Sequence, residues 1–150
     1  MPRRELSRPS QIADWLADWG EQLSAPAELV LIGSGGLLWH AHVAGSNVPL
    51  PSQSMDVDPV TESDEIAELC YAALIGSEFE REHGWHVNLM PGFALDALPA
   101  GWEQRASRAV IGNLHAIIPA AADLLAPKLK RGEPRDHEHF SYARSIGIID

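Results

Sequence analysis

Hydrophobic residues recur at helical spacing near the start of the chain: Ile12, Leu16, Trp19 and Leu23, with Trp15 beside them. Positions three and four apart share a helix face, so this spacing predicts a helix over residues 11–23, with Ser10 as its N-cap. Leu29, Val30, Leu31 and Ile32 form a short apolar run that stops at Gly33, the pattern of a buried strand. Gly35 and Gly36 then give a turn, and residues 37–43 read as a helix packing back on that strand. Residues 47–53 carry two prolines and no period, and read as a loop. Over 54–60 the pattern changes to alternation. Met55 and Val57, with Val60, fall on one side of the chain, and Asp56 and Asp58 on the other. Pro59 has no N–H to give to a ladder, which predicts a short or an edge strand.

Helical spacing returns over 62–75, where Ile66, Leu69, Cys70, Ala73 and Leu74 form an apolar stripe behind acidic first turns. Residues 85–90 read as a second strand, ended by Pro91 and Gly92. Residues 93–98 fit neither period. From Gly101 and Trp102 the chain reads as a short helix or a hairpin, with extended runs at 109–111 and 115–118. A helix over 121–130 has Asp123 near its start and Lys128 and Lys130 near its end. Gly132 and Pro134 break the chain before a last helix at 137–145. Residues 1–9 and 147–150 read as frayed ends. No repeat, heptad or low-complexity tract appears. The pattern is one α+β domain over 1–150 with three to five strands.

The length of 150 residues and the 45% hydrophobic content suit a single domain with a sizeable core. The lone cysteine, Cys70, has no intramolecular disulfide partner, which points to a reducing compartment. It sits in the apolar stripe and reads as a small buried hydrophobe. The N-terminal residues show no apolar signal region, and no stretch approaches the ~18 apolar residues of a membrane helix. The expectation is a cytoplasmic protein with no membrane partner. The formal net charge of -10 excludes a broad basic surface for nucleic acid. It leaves room for a nucleic acid end, a nucleotide carried with magnesium, or a basic protein partner. Arg105, Arg108, Lys128, Lys130, Arg131 and Arg135 cluster in the second half and are expected to form one positive rim.

The candidate chemistry begins with Asp56 and Asp58. Two residues apart on a strand, they point the same way. Adjacent carboxylates repel unless something positive lies between them. Mg²⁺ answers that need, since it takes one or two carboxylates together with substrate phosphates. Gly33 permits close backbone approach, free N–H groups past a strand can cradle a phosphate, and Ser34 adds a hydroxyl. The segment has no Walker A lysine and lacks the Rossmann spacing. Lys128 and Arg131, three apart, share a helix face and form a phosphate-facing basic pair. His40 and His42 do not share a face. His83 and His86 have no cysteine partners for a zinc site. His137 and His139 read as a polar rim, and the five tryptophans as core, with Trp102 also able to stack on a base.

These motifs in this order resemble the polymerase-beta-like nucleotidyltransferase superfamily: Gly33-Ser34, then Ser54 before Asp56-Val57-Asp58. The later segments are similar to bacterial abortive-infection and toxin–antitoxin nucleotidyltransferases. They are Pro99, Gly101, Trp102 and Arg105; Asp123-Leu124-Leu125 leading to Lys128-Leu129-Lys130-Arg131; and Arg135-Asp136. The resemblance implies a mixed sheet of three to five strands flanked by helices. It implies Mg²⁺-dependent transfer of a nucleoside monophosphate from a nucleoside triphosphate to an RNA or protein acceptor. In toxin relatives the acceptor can be a transfer RNA end, and the partner a cognate antitoxin. Asp56 and Asp58 would hold the metal as catalytic residues. Gly33 and Ser34 would touch the triphosphate, Lys128 with Arg131 would neutralise phosphate charge, and Asp136 would sit near the nucleotide or orient Lys128. Active members carry a third acid on the next strand. Here His86-Val87-Asn88-Leu89-Met90 has none, and Asn88 stands at the matching position. Three outcomes are open: Asp96 completes the site, two carboxylates suffice, or the fold is catalytically silent and binds a nucleotide or a protein partner.

Overall fold

The strands of the sheet carry one large and one small cluster of buried apolar residues. A computed structural model describes residues 6–51 and 56–149, so Ser54 and Met55 lie outside the described residues. The elements run α1 (Pro9–Gln22), β1 (Ala27–Ile32), α2 (Ser34–Val43), β2 (Asp56–Val60), α3 (Asp64–Tyr71), α4 (Glu78–His83) and β3 (His86–Val87). A 3-10 helix (Gly92–Ala97) follows, then α5 (Trp102–Arg105), β4 (Ser107–Ile111), β5 (Leu114–Ile118), α6 (Ala121–Arg131) and α7 (Pro134–Ser145). The strands form one mixed sheet in the order β3-β2-β1-β5-β4. β1 pairs antiparallel with β2 and parallel with β5; β2–β3 is parallel and β4–β5 antiparallel. This is an α+β fold, a five-stranded sheet flanked by helices.

Leu29, Leu31, Val57, Ala116 and Ile118 point into the main core, where they meet Leu16, Leu37, Ile66 and Leu125 from the helices. Val30, Val60 and Ile117 form a smaller cluster on the other face, covered by Met90, Leu95 and Trp102. Val60 therefore shares the face of Asp56 and Asp58, not that of Val57, as strict period-two geometry requires. Trp102 is a packing residue in this small cluster. Trp15, Trp19 and Trp85 stack edge-on in the main core, with Trp15 at 4.9 Å from Trp19 and 6.0 Å from Trp85. Cys70 is buried, and burial pushes its thiol up to about 12.

Several elements begin or end away from the positions their periodicity predicts, each for a local reason. α1 starts at Pro9, whose missing N–H is unneeded in the first turn, so Ser10 is inside the helix. Gln11 reaches back and accepts the Arg8 N–H at 2.8 Å. α3 starts after Ser63, whose Oγ accepts the Ile66 N–H at 3.2 Å. It stops at Tyr71, leaving Leu74 and Ile75 exposed. α4 has no apolar stripe to reveal it; Ser77 caps it by accepting the Glu80 N–H at 3.2 Å. β2 is an interior strand, not an edge. Pro59 pairs with Leu31, and its carbonyl accepts the Met90 N–H at 2.9 Å beyond the end of β3. The ends are docked rather than frayed where they are described. Leu6 is fully buried, and Ile148 and Ile149 pack on the main core. Among the described residues, no helix is long and apolar enough to cross a membrane.

Candidate functional site

β1 ends at Ile32, which pairs with Asp58 across the antiparallel ladder. The next residue, Gly33, must turn the chain from strand into α2. It does so at φ 73 and ψ -158, a region open essentially to glycine alone. A Cβ built there would stand 2.8 Å from Asp58 Oδ2, so Gly33 also lets the backbone approach the carboxylate. Ser34 follows, buried in the first turn of α2. α2 itself lies close to the neighbouring helix: a Cβ on Gly36 would meet Leu124 Cδ1 at 2.7 Å and the Leu31 carbonyl at 2.9 Å. That contact brings α6 beside the β1–α2 turn.

The result is a cleft of about 480 Å³ on the thinly covered face of the sheet. Gly33 and Asp58 form one part of its wall, and Lys128 and Arg131 from α6 another. These four sequence-predicted residues meet although the chain separates them widely. The other three are placed differently. Ser34 lies just behind Gly33. Asp56 lies one pair further along the same face of β2, in register with His86. Its Oδ2 is 3.9 Å from His86 Nε2, while His86 Nδ1 is 2.7 Å from Glu80 Oε2. Asp136 is fully buried and grips Arg131, accepting from Nε at 2.9 Å and from Nη2. It acts on the cleft by holding Arg131.

The charges respond to this placement. Burial, then the Asp56 carboxylate, push the Asp58 carboxyl up to about 6, against the hydrogen bond from Asn88 and the charges of Lys128 and His86. Asn88 Nδ2 donates to Asp58 Oδ1 at 3.3 Å, so the neighbour that the segment after β3 gives Asp58 is an amide and not an acid. Burial holds the Lys128 ammonium below its ordinary value; Arg131 and Arg135 add to this, and Asp136 and Asp58 oppose it. The hydrogen bond from Arg131 brings the Asp136 carboxyl down to about 2.

The expected basic rim is divided. Arg105 forks Asp123, Nε and Nη2 each donating at 2.9 Å, and Nη2 also donates to the Ala100 carbonyl at 3.0 Å. Arg131 is held by Asp136, and Arg108 lies 3.9 Å from Glu28. Asp96 is exposed on the 3-10 helix; its neighbours Phe93, Ala94 and Ala97 line the cleft instead. His40 Nε2 bonds the Pro119 carbonyl at 2.7 Å, and His83 Nδ1 the Phe79 carbonyl at 2.9 Å, which gives both structural partners.

Among the described residues, no group of three or more His, Cys, Asp or Glu side chains is placed to hold a metal ion. An all-protein cage is thus absent from that set. Asp56 and Asp58 lie two residues apart on one face of β2, and a Mg²⁺ ion held there would draw the rest of its shell from water and phosphates. Compared with family models, with curated proteins and with solved structures, the chain matches none. Sequence reasoning missed Phe93, Leu124 and Pro127 on the cleft wall. The residues carry no polar or periodic signal that separates them from ordinary packing positions.

Proposed function

We propose that this chain is a polymerase-beta-like nucleotidyltransferase domain that moves a nucleoside monophosphate from a nucleoside triphosphate to an RNA or protein acceptor. The observation that carries the reading is the meeting of Gly33, Asp58 and Lys128 at one cleft, from the β1–α2 turn, β2 and α6. Gly33 offers a backbone surface that phosphate oxygens can approach. Lys128 and Arg131 supply positive charge, and Asp56 with Asp58 would hold Mg²⁺. When bound, the ion adds charge neutralisation at the phosphates. In the transfer, the acceptor hydroxyl oxygen forms a bond to the α-phosphorus and its proton goes to solvent. The bond from that phosphorus to pyrophosphate breaks. Such a reaction depends chiefly on positioning and charge.

A second reading, a catalytically silent domain that binds a nucleotide or a protein partner, is favoured by Asn88, whose amide donates to Asp58 where an acid would be needed. Incubation with each labelled nucleoside triphosphate, Mg²⁺ and total RNA separates the two. Label on RNA or on protein that is lost in Asp56→Ala and in EDTA supports transfer. Bound nucleotide without transfer supports the second reading. Neither binding nor transfer overturns the transferase reading and the nucleotide-binding form of the second, and leaves the protein-binding form.

A further inference from the structure

Beyond its charged residues the cleft wall is apolar. Phe93 is 75% exposed, though it stands on a fixed support. The 3-10 helix that carries it is closed by the Ala94 N–H on the Pro91 carbonyl at 2.9 Å and the Leu98 N–H on the Leu95 carbonyl at 3.1 Å. Leu95, on the same helix, packs against the Val30, Val60 and Ile117 cluster. The inner side of the turn is thereby anchored while the ring is left open to solvent. Leu124 and Pro127 add apolar surface from α6, on the helix that also supplies Lys128.

The polar side chains on the wall are Asp58, Lys128 and Arg131, all of them charged. No serine, threonine, asparagine, glutamine, tyrosine or histidine is among the described lining residues. Base edges are read by donors and acceptors at fixed places, charged side chains included; with Asp58 assigned to the metal and Lys128 and Arg131 to the phosphates, no other side-chain donor or acceptor on the wall is left for a base. An aromatic face, in contrast, accepts any base, because every base has a π-face.

Resting on the proposed nucleotide site, we propose that the cleft seats the base of a nucleoside triphosphate on Phe93, with the phosphates towards Gly33 and Lys128. Selection is then by stacking area, purine over pyrimidine, and not by base-edge hydrogen bonds. The open ring and the cationic wall account for the two ends of such a ligand. The volume of about 480 Å³ lies within the range of small-molecule sites.

Titration calorimetry of the intact protein in Mg²⁺ with ATP, GTP, CTP, UTP and inorganic tripolyphosphate tests this. ATP and GTP are expected to bind within about threefold of one another and several-fold tighter than CTP and UTP. Phe93→Ala is expected to weaken ATP by roughly 5- to 100-fold, to level the four nucleotides, and to leave tripolyphosphate unchanged. Phe93→Trp keeps the wild-type order. Preference for one base by more than about 30-fold, or an unchanged ATP affinity in Phe93→Ala, overturns the inference while tripolyphosphate binding upholds the phosphate site. Loss of tripolyphosphate and nucleotide binding alike in the wild type overturns the site reading and this inference with it.

Discussion

At Gly33 a single hydrogen in place of a side chain decides both the backbone path and the position of a carboxylate. Gly33→Ala must force a methyl into a region of φ and ψ that costs about 1–3 kcal/mol, and must also turn Asp58 away from a Cβ at 2.8 Å. Chemical denaturation is expected to show a loss of about 2 kcal/mol, and nucleotide affinity to fall with it. Asp58 itself points the other way. Its carboxyl is raised to about 6 in the folded chain, above the ordinary aspartate value near 4. A raised acid favours the folded state when protonated, so its contribution is full below about pH 4 and is lost as pH rises through 6. Above that pH the ionised, half-buried group destabilises the fold. Asp58→Asn, measured in EDTA, is therefore expected to be more stable than wild type by about 1–2 kcal/mol at pH 8. The difference should shrink between pH 6 and pH 4. An equal gain at both ends of that range would rule out the charge as its cause.

Between elements, two arginine–carboxylate forks do the fastening. Arg105 ties α5 to Asp123 of α6, and Arg131 ties the end of α6 to Asp136 of α7. Asp136→Asn keeps an acceptor for the Glu133 N–H, now at 3.2 Å, and removes the charge that faces Arg131. Arg131 is 53% exposed and can be rehydrated, so the expected loss is about 2 kcal/mol, below that of a wholly buried pair. The Asp136 carboxyl is depressed to about 2, so its stabilisation is present above about pH 4 and disappears as pH falls through 2. Urea unfolding at pH 7 and at pH 3 should show the gap between wild type and variant narrowing at the lower pH. The apolar period revealed α1, which buries Ile12, Trp15, Leu16 and Trp19, and α3, which buries Ile66 and Cys70, while β1 was legible as a continuous apolar run; the turn read at Gly35 and Gly36 is instead the first turn of α2. The period did not reveal α4, which buries no residue and is fixed by the Ser77 cap. The side-chain alternation of β2 was legible, but its interior position was not. Pro59 argued for an edge, and only the chain beyond β3 supplies the Met90 N–H that satisfies its carbonyl.

For the whole molecule, the parallel β1–β5 pair joins segments that are distant in sequence, and no local pattern encodes such a pairing. The same long-range closure carries α6 back to Gly33. Candidate residues could thus be named from sequence, while the split of the basic residues between cleft and forks could not. That split bears on nucleic acid binding. The net charge is -10, and the cations on the cleft wall are Lys128 and Arg131, with Arg131 already held by Asp136. The cleft would neutralise about two phosphates of an RNA strand, and each contact to a single strand contributes about -0.7 to the slope of log affinity against log salt. Fluorescence anisotropy with a labelled RNA oligonucleotide, from low to moderate salt, is expected to give weak binding and a slope near -1.4. A slope steeper than about -4 would require a basic surface of several more contacts. In that case RNA would be held along an extended face, and the view that this acidic chain engages nucleic acid only at a cleft would be wrong.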